Sequence, residues 1–565
     1  MTSTVELIAN GRRLTTTEGT SVAAALLDAG IHDFRRSVRG EPRAPLCGMG
    51  ICLECRVTID DVAHRRACLV PVADGMQVTT SDDARTASNS AAGPRAATLT
   101  GGSTPTLHTD VVVIGAGPAG MAAAVAAHGL GRHVTVIDAG LTPGGQIWRH
   151  HPSAPPPAEA ETLVNRLTAS GATLLFGASA VELRRGERAS AGSTGNGRGG
   201  GSGSSGSSFT VLAERAGEAC RIDATTVVLA TGARELFLPF PGWTLPGVVG
   251  VGAAQALLKM GSSVAGRRVV VAGTGPLLLP VAASLSRAGA RLTLVVEQAA
   301  QSAVARFAAS LWRRPRLLLT AARYRAAFAG TRYVTGSWVT AADGNGRVER
   351  VTVTDGSRSR TIDCDLLCVA YGLVPNTELA RLAGCATSGG TVAVDERQQT
   401  SVPGIYCAGE PTGVGGADLA LIEGEIAGLA AAGAPAIGRQ LLAARGRLRV
   451  AATVMDRAFA PRTELRSVCT DETIVCRCED VARGALEKHW SSRQAKLYTR
   501  AGMGACQGRV CGAALEFLFG WTHDSVRAPI EPALLSTLVT DFAPAPARSS
   551  STSLADGPTL HQGAT

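Results

Sequence analysis

Residues 110–138, DVVVIGAGPAGMAAAVAAHGLGRHVTVID, constrain the fold more than any other stretch of the chain. They begin with an apolar run typical of a strand buried on both faces, continue with an alanine-rich segment that predicts a helix, and end with a second apolar run. Gly115, Gly117 and Gly120 stand between strand and helix in the GxGxxG spacing, and Asp138 ends the second strand. This order predicts a βαβ unit that binds a dinucleotide.

Each of these residue types has a physical reason to stand where it does. Gly115 permits the tight turn, Gly117 lets the backbone approach a pyrophosphate, and Gly120 lets helix and strand pack closely. The free N–H groups at the start of the helix favour phosphate binding. Asp138 can accept hydrogen bonds from the hydroxyls of a ribose.

Residues 268–297 repeat the same plan, with Gly273 and Gly275 in the turn and Glu297 at the end of the second strand. Leu278 stands where the third glycine of the pattern would be, and we expect it to separate helix and strand or to shift the turn. Two alternatives remain. The favoured one is a domain kept for structure or for a non-redox nucleotide, and the other is a working NAD(H) site, for which Glu297 would prefer NAD to NADP.

Other apolar runs end in residues that could meet a flavin. Gly145 and its neighbours permit a second close backbone approach, and Trp148 either lines the isoalloxazine edge or belongs to the core. The buried run TVVLATG and the run GIYCAGE both predict strands that end at the same site. The further candidate cofactor residues are Gly145, Gln146, Thr231, Gly232, Gly409 and Glu410.

The N-terminal segment combines a hairpin pattern with a cysteine motif. Asn10-Gly11 between two short runs predicts a type I′ turn, and Ser21 predicts a helix cap. The cysteines follow C-x4-C-x2-C-x12-C, which is the plant-type ferredoxin spacing with a shorter last gap. This spacing predicts a [2Fe–2S] cluster rather than zinc, with the ligands Cys47, Cys52, Cys55 and Cys68.

A second cysteine set follows C-x-C-x27-C-x4-C near the C-terminus, around CRC and TRAGMGACQGRVCG. Two pairs of thiolates with a glycine-rich loop could hold a second [2Fe–2S] cluster, and zinc is the alternative. The candidate ligands are Cys476, Cys478, Cys506 and Cys511. Neither nucleotide-binding segment contains a C-x2-C or C-x4-C pair, which argues against disulfide-reductase chemistry. We expect the other cysteines to be buried apolar side chains: Cys220, Cys364, Cys368, Cys385, Cys407 and Cys469.

Composition excludes several classes of protein. The net charge of +9 is carried almost wholly by arginine spread along the 565 residues, without a basic run interleaved with aromatics, so we expect no nucleic-acid binding. No apolar run has the length of a membrane span, and Glu6 and Asn10 interrupt the place of a signal-peptide core. We therefore expect a cytoplasmic protein, with any contact to the inner face of the membrane made through partners.

These patterns divide the chain into seven expected segments. They are a ferredoxin-like [2Fe–2S] domain (1–83), a flexible linker (84–108), the first part of an FAD-binding domain (109–245), an NAD-binding-like domain (246–372), the second part of the FAD-binding domain (373–435), a small helical [2Fe–2S] domain (436–540) and a disordered tail (541–565). A Gly/Ser insertion at 190–208 predicts a disordered hairpin tip.

Five motifs in this order, GAGPAG, GGQIW, GTGPLLL, YGLVPNTEL and CRCED…TRAGMGACQGRVC, resemble the B subunit of hydrogen cyanide synthases. They equally resemble the A or α subunits of opine oxidases and of dye-linked L-proline and D-hydroxyproline dehydrogenases. CGMGICLEC is similar to the small ferredoxin-like subunit of the same complexes and to the start of sarcosine oxidase α. The fold class so implied is α/β: a two-dinucleotide-binding-domain (Rossmann-like) flavoprotein with an α+β ferredoxin-like domain before it and a helical cluster domain after it.

The resemblance also implies cofactors and partners. It implies FAD at Gly115, Gly117, Gly120, Asp138 and Gly145, and clusters at the two cysteine sets. In such complexes a D-amino-acid-oxidase-like FAD subunit oxidises the substrate, and this type of chain passes electrons onward to an acceptor such as a quinone. Because of Leu278, NADH oxidation is the property that the resemblance implies least strongly.

Three functional hypotheses follow. The leading one is an FAD and iron–sulfur electron-transfer subunit of a hetero-oligomeric amino- or imino-acid dehydrogenase. The second is a free-standing NADH-dependent reductase, which the second βαβ unit supports and Leu278 opposes. The third is a non-catalytic assembly subunit, which eight regularly spaced cysteines oppose. No Ser-His-Asp, paired-carboxylate or lysine arrangement suggests another chemistry.

Overall fold

The N-terminal domain is a five-stranded sheet with one helix. The computed structural model describes residues 3–80, 106–186, 209–522 and 526–539, so the predicted insertion at 190–208, the predicted tail and nearly all of the predicted linker lie outside the described residues. The domain contains β1 (Thr4–Ala9), β2 (Arg12–Thr17), α1 (Val22–Asp28), β3 (Arg35–Arg36), β4 (Pro42–Arg43), β5 (Arg56–Ile59), β6 (Val62–Arg66) and β7 (Met76–Thr79). Both residues of the Asn10-Gly11 turn have positive φ, and the Ser21 hydroxyl accepts from the Ala24 N–H, which confirms the predicted hairpin and cap.

The first nucleotide-binding domain is built on a mixed sheet. Its elements are β8 (Thr106–Ile114), α2 (Pro118–His128), β9 (Val134–Asp138), α3 (Ala158–Ala169), β10 (Thr173–Phe176), β11 (Ala178–Arg185), β12 (Phe209–Arg215), β13 (Glu218–Leu229) and β14 (Ala233–Glu235). The strand order is β10-β9-β8-β13-β12-β11, in which β10, β9, β8 and β13 are parallel. β8 begins at Thr106, inside the C-terminal end of the predicted linker.

The second nucleotide-binding domain follows directly. It contains β15 (Val248–Val249), α4 (Val251–Lys259), β16 (Arg268–Gly273), α5 (Leu278–Arg287), β17 (Arg291–Glu297), α6 (Gln301–Ser310), a 3₁₀ turn (Leu311–Arg313), α7 (Pro315–Ala326), β18 (Tyr333–Thr335), β19 (Trp338–Asp343), β20 (Arg350–Thr354), β21 (Ser359–Asp363) and β22 (Leu366–Ala370). A parallel sheet runs β15-β22-β16-β17-β18, and β19-β20-β21 form an antiparallel one.

The chain then returns to the first domain and ends in a mostly helical region. The return contains β23 (Leu373–Pro375), α8 (Glu378–Leu382), β24 (Thr387–Ser388), β25 (Thr391–Val392), β26 (Ile405–Cys407) and α9 (Gly416–Ala431). The C-terminal region contains α10 (Arg439–Ala458), β27 (Ile474–Cys476), β28 (Val481–Ala482), α11 (Ser492–Thr499), α12 (Cys511–Phe519) and α13 (Leu535–Val539). No helix among the described residues is long and apolar enough to cross a membrane.

Two features of this fold place the candidate site. The parallel strands β8, β9, β13 and β26 end at one edge of the first sheet, so the loops after them meet there. Helix α9 packs tightly on α2: a Cβ added to Gly424 would lie 2.0 Å from the Ala119 carbonyl oxygen, and one added to Gly428 would lie 2.2 Å from that of Ala123. These two glycines therefore let helix α9 of the returning chain pack closely against helix α2 of the first βαβ unit.

Candidate functional site

The turn of the first βαβ unit has no room for side chains. Gly115 has φ +107°, and a Cβ on Gly120 would lie 1.7 Å from the Gly115 carbonyl oxygen. A Cβ on Gly145 would lie 2.9 Å from the Cα of Gly117, so two backbones face each other closely, as predicted for this loop. The structure thus brings the predicted glycines of the first unit together at the edge of the sheet.

Asp138 lies at the same edge with its carboxylate held by the backbone. It accepts hydrogen bonds from the N–H groups of Ala116 (2.5 Å) and Gly140 (2.6 Å). Burial raises its pKa, while those two N–H groups act in the opposite direction. These contacts fix the carboxylate at the mouth of the turn.

A cavity of about 1170 Å³ opens between the two nucleotide-binding domains. This volume slightly exceeds the usual range for small-molecule sites, and it suits an elongated ligand such as a dinucleotide. The sequence-predicted residues that line it are Gly115, Gly117, Asp138, Gly145, Gln146, Thr231, Gly232, Gly275 and Glu410. The predicted residues Gly120, Gly273, Glu297 and Gly409 do not line it. Trp148 is buried in the core of the first domain, which settles its two alternatives in favour of packing.

Glu410 is a buried carboxyl group with an unused oxygen. Oε1 accepts from the Gly416 N–H (3.0 Å) at the start of α9, whereas Oε2 has no hydrogen-bond partner among the described residues. Burial raises the pKa of Glu410 to about 7. Because a buried polar atom without a partner is costly, this oxygen at the cavity wall suits a ligand hydroxyl.

The residues beside Glu410 are held by contacts that the sequence did not reveal. The Gly409 N–H donates to Glu423 (3.1 Å), a fully buried carboxylate on α9 that also binds Arg449. The Thr231 hydroxyl donates to the carbonyl of Asn376 (2.7 Å). Thr231 is therefore a structural contact between the first domain and the returning chain as well as a cavity residue.

Glu235 is a second cavity carboxyl that sequence reasoning missed. Its Oε1 accepts from the Gly252 N–H (2.6 Å) at the start of α4, and burial raises its pKa to about 7. Both of its oxygens have backbone partners, in contrast to Glu410. A lone Glu after a Thr-Gly-Ala-Arg turn carries no recognisable motif, so the sequence offered no signal for it.

The second βαβ unit differs from the first at its acid. Glu297 is fully buried, and its carboxylate accepts from the Gly275 N–H (2.7 Å), the Thr274 hydroxyl (2.9 Å) and the Ala299 N–H (2.8 Å). Leu278, at the place of the third glycine, is the first residue of α5 and is buried in the core. Glu297 is thus occupied by its own chain rather than facing the cavity.

The segment after α10, residues 459–462, lies across the turn of this second unit. The Phe459 carbonyl is 3.1 Å from the Thr274 hydroxyl, and Gln298 binds the carbonyl of Ala460 (3.1 Å) and the N–H of Arg462 (3.1 Å). The side chain of Phe459 packs about 4.0 Å from where a Cβ on Gly275 would be. The chain itself therefore fills space in front of the second glycine turn.

The four N-terminal cysteines are buried and arranged in two pairs. Cys47 is within hydrogen-bond distance of Cys52, and Cys55 of Cys68. The N–H groups of Met49 (3.4 Å) and Cys52 (3.3 Å) point at the Cys47 sulfur. No three His, Cys, Asp or Glu side chains in the described part of the chain surround one point as ligands of a single metal ion would. Two thiol pairs suit a two-iron cluster, in which each iron takes two thiolates.

The C-terminal cysteines form a second set of the same kind. The sulfurs of Cys478 and Cys506 are 3.5 Å apart, and Cys476 is within hydrogen-bond distance of Cys511. A Cβ on Gly504 would lie 2.2 Å from the Cβ of Cys478, which explains the glycine there. Among the cysteines predicted to be buried apolar side chains, five are buried, but Cys220 on β13 is only half-buried.

Charged residues inside the two cysteine motifs join the two sets. Glu54, between Cys52 and Cys55, is fully buried and binds Arg35 (2.9 Å). Its other oxygen is 3.6 Å from Arg477, which stands between Cys476 and Cys478. A second buried ion pair, Arg43 with Asp480 (2.7 Å), lies at the same boundary. Glu54, Arg477 and Asp480 belong to the CLEC and CRCED motifs, whereas Arg35 and Arg43 precede them, and sequence alone did not show that these residues meet.

The N-terminal set also borders the cavity. Met49 and Cys68 line the cavity wall, and Arg149 donates to the Gly48 carbonyl (2.7 Å). A Cβ on Gly48 would lie 3.1 Å from the Ala253 carbonyl oxygen on α4. The cysteine loop thus packs directly on the helix that forms one side of the cavity.

Known protein families match two parts of the chain. The family described as pyridine nucleotide-disulphide oxidoreductase matches residues 109–424, and the 2Fe-2S iron-sulfur cluster binding domain matches residues 2–83. The first match implies FAD and the second implies an N-terminal [2Fe–2S] cluster, in agreement with the cavity and with the first cysteine set. The chain is therefore an FAD-dependent oxidoreductase.

Curated relatives align over most of their length. The A subunit of opine oxidase from Agrobacterium tumefaciens is 33% identical over 76% of this chain and 91% of its own length. Hydrogen cyanide synthase subunit HcnB of Pseudomonas aeruginosa is 33% identical over 71% of this chain and 90% of its own length.

A solved structure shares the overall fold. L-proline dehydrogenase from P. horikoshii superposes with a TM-score of 0.66 at 21% identity and covers 95% of this chain and 98% of its own. The predicted α/β flavoprotein fold and the predicted resemblance are both confirmed. The chain belongs to the pyridine nucleotide-disulphide oxidoreductase family and, within it, to the group that contains the opine oxidase A subunit and hydrogen cyanide synthase subunit HcnB.

Proposed function

We propose that the chain is the electron-transfer subunit of a hetero-oligomeric amino- or imino-acid dehydrogenase. A D-amino-acid-oxidase-like partner oxidises the substrate, which belongs to the class of proline, hydroxyproline, opines, glycine or sarcosine. A quinone is the final acceptor. The names of its relatives support a partner, since the opine oxidase relative and HcnB are each named as subunits of an enzyme.

One observation carries the proposal: a single chain brings a dinucleotide cavity into contact with two four-thiol sets, of which every cysteine but the half-buried Cys478 is buried. Cys68 lines the cavity, and Glu54 and Arg477 connect the first set to the second. When bound, FAD and iron–sulfur clusters supply the redox chemistry that side chains lack. This chain's residues hold those groups near one another and keep water away from the buried thiols.

The residues that would hold FAD fit it by shape and by polarity. Gly115 and Gly117 leave backbone room for a pyrophosphate, and Asp138 stands at the ribose position. Glu410 lines the cavity and has one buried oxygen without a hydrogen-bond partner among the described residues. The two cysteine sets fit [2Fe–2S] clusters because each provides two thiol pairs with backbone N–H groups aimed at sulfur. For the C-terminal set this favours iron over the zinc alternative.

The free-standing NADH reductase is the weaker candidate. Its nucleotide would have to enter where Phe459 and Ala460 lie against Thr274 and Gln298. An anaerobic titration of the purified chain separates the two proposals. We expect dithionite, but not NADH, to bleach the flavin. Rapid bleaching by NADH would overturn the partner-dependent function in favour of the reductase.

The partner is tested by adding substrate in its presence. We expect proline, hydroxyproline, an opine or glycine to bleach the flavin of this chain only when the chain is co-purified with an oxidase-like subunit. If the isolated chain is reduced by such a substrate, or if no subunit co-purifies from the native host, the hetero-oligomeric assignment is wrong.

Metal analysis tests the two thiol sets without relying on activity. Cys52→Ser and Cys478→Ser should each remove about two irons per chain and one set of EPR signals. Cys220→Ser, at a half-buried cysteine outside both sets, is the matched control and should leave iron content unchanged. Zinc in place of iron at the second set would contradict the C-terminal cluster.

A further inference from the structure

A helical hairpin in the second nucleotide-binding domain carries an unusual surface. The hairpin comprises α6, the 3₁₀ turn and α7, residues 301–326, and we call it the arginine hairpin. Neither of its two α-helices contains a buried side chain, although both are fully described. Its inward residues are only half-buried, with Phe307 against Phe459 and Tyr324 against the core of the domain, so much of the apolar surface of the hairpin is left exposed.

The outer side of the arginine hairpin is apolar as well as exposed. Trp312 is 71% exposed and Leu319 59%, both within eight residues. The inner side is different, since Phe307, Leu311 and Leu318 line the large cavity. The hairpin therefore separates the cavity from the outside with apolar residues on both sides.

The charge of this segment has one sign. From residue 298 to residue 342 the sequence contains no Asp or Glu. The arginines of the hairpin are Arg306, Arg313, Arg314, Arg316, Arg323 and Arg325. None of the described ion pairs involves Arg306, Arg314, Arg316 or Arg323.

Two arginines of the neighbouring helix differ from those of the hairpin because they have an acidic partner. Arg445 and Arg449 on α10, which packs against α6, are both paired with buried Glu423. They stabilise the fold, whereas Arg316 and Arg323 extend from an exposed apolar surface. A surface that combines tryptophan, leucine and uncompensated arginine is complementary to an anionic lipid headgroup layer. The long arginine stems can lie along the apolar surface while their guanidinium groups reach phosphates.

We propose that the arginine hairpin is a docking surface for an anionic phospholipid bilayer. This chain would then contact the membrane directly, with the hairpin side of its cofactor cavity turned towards the lipid. The single sign of its charge, with no Asp or Glu from residue 298 to residue 342, favours an anionic lipid layer over a protein partner. The proposal holds or fails independently of the substrate.

Vesicle sedimentation of the full FAD-loaded chain tests it. The probe is an equimolar mixture of phosphatidylcholine and phosphatidylglycerol, compared with pure phosphatidylcholine. We expect binding to the anionic vesicles, little binding to the neutral ones, and release at high salt. The double variant Arg316→Gln with Arg323→Gln should weaken binding by roughly 5-fold for each charge removed.

Matched variants separate the hairpin from general surface charge and apolarity. Arg358→Gln with Arg360→Gln removes two exposed arginines near β21 and should leave binding within about 2-fold of the wild type, the small change reflecting the lower net charge. Leu319→Ser should weaken binding, whereas Leu497→Ser, at a leucine of similar exposure on α11, should not. Unchanged thermal unfolding of all four variants shows that they remain folded.

Two outcomes overturn the proposal. One is an absence of binding to the anionic vesicles, or equal losses in the hairpin and control variants. The other is a hairpin already covered in the assembled complex. The difference in iodide quenching between the wild type and Trp312→Phe, measured without lipid, detects this. A shielded Trp312 would assign the surface to a protein partner instead.

Discussion

The two βαβ units of this chain follow one plan but differ in what occupies them. In the first, Gly120 lets helix and strand approach, and the turn opens onto the cavity. In the second, Leu278 fills the helix–strand interface, and residues 459–462 lie beside a turn whose Gly275 also lines the cavity. The same backbone topology can therefore present a ligand site that is open or one that is narrowed by its own chain, and the difference lies in a few side chains.

The acids of the two units show the same difference. Asp138 lines the cavity, whereas Glu297 is fully buried with three hydrogen bonds from its own unit. A carboxylate at the end of the second strand is thus not by itself a sign of a working ribose site. The burial of the carboxylate and its existing hydrogen-bond partners determine whether it can bind a ribose.

The largest effect should come from filling the first turn. Gly120→Ala places a Cβ 1.7 Å from the Gly115 carbonyl oxygen, and the backbone there cannot move without opening the turn. We expect a loss of about 3–5 kcal/mol in the free energy of unfolding, together with loss of bound FAD. Thermal unfolding and flavin content of the purified protein measure both.

The control for this change is a glycine with free space around it. Gly446, inside α10, would place an added Cβ in contact with nothing within 4 Å. Gly446→Ala should stabilise the protein by about 0.5–1 kcal/mol, since alanine is the better helix former. Equal flavin content in Gly120→Ala and Gly446→Ala would show that the close approach does not define the FAD site.

The reciprocal change in the second unit should lower the free energy of unfolding without changing the amount of bound flavin. Leu278→Ala removes a fully buried side chain and should cost about 3 kcal/mol. We expect its FAD content to equal that of the wild type, because the first unit is untouched. Leu497→Ala, at a 66% exposed leucine, is the control and should change the unfolding free energy little. Loss of FAD from folded Leu278→Ala would mean that the two units do not differ in the way described.

Opening the second unit should give a smaller effect. Gln298→Ala removes the hydrogen bonds to Ala460 and Arg462, and we expect a loss of about 2 kcal/mol in unfolding free energy. Hydrogen exchange at residues 459–462 should become faster, and adenine nucleotide should bind more tightly, as measured by calorimetry. Gln301→Ala, on the exposed start of α6, should do neither. An unchanged nucleotide affinity in Gln298→Ala would argue that segment 459–462 does not block the site.

Local patterns predicted much of this molecule. The hairpin at Asn10-Gly11, both βαβ units and the grouping of the cysteines could be read from the sequence because turn, helix and strand signals are local in the chain. Leu278 was correctly seen as a departure, although the structure shows packing in the core rather than a disrupted turn.

The remainder depends on contacts between distant segments, which have no local signal. The contact of Phe459 with Thr274 joins residues 185 positions apart, and Glu54 meets Arg477 across nearly the whole chain. The occupied state of Glu297 likewise follows from how its own turn folds back on it, not from its residue type.

The smallest effect concerns Glu410. This residue has a carboxylate oxygen without a hydrogen-bond partner among the described residues, and the acid of the second unit, Glu297, has no such oxygen. The Glu410 pKa of about 7 means that the carboxyl is protonated below this pH in the empty site. A ligand hydroxyl that donates to the free oxygen favours the ionised form, so FAD affinity should fall as the pH falls below about 7 and should level off above it. Glu410→Gln should weaken FAD binding about tenfold at pH 8, or about 1.4 kcal/mol, and should abolish this pH dependence.

Glu235→Gln separates the two cavity carboxyls, since the pKa of Glu235 is raised in the same way but both of its oxygens already accept hydrogen bonds. Fluorescence titration of the apoprotein with FAD measures the affinity. The titrations run from about pH 5.5 to about pH 8.5, which brackets this pKa. A pH dependence that persists in Glu410→Gln and disappears in Glu235→Gln would transfer the role to the helix-capping carboxylate of α4.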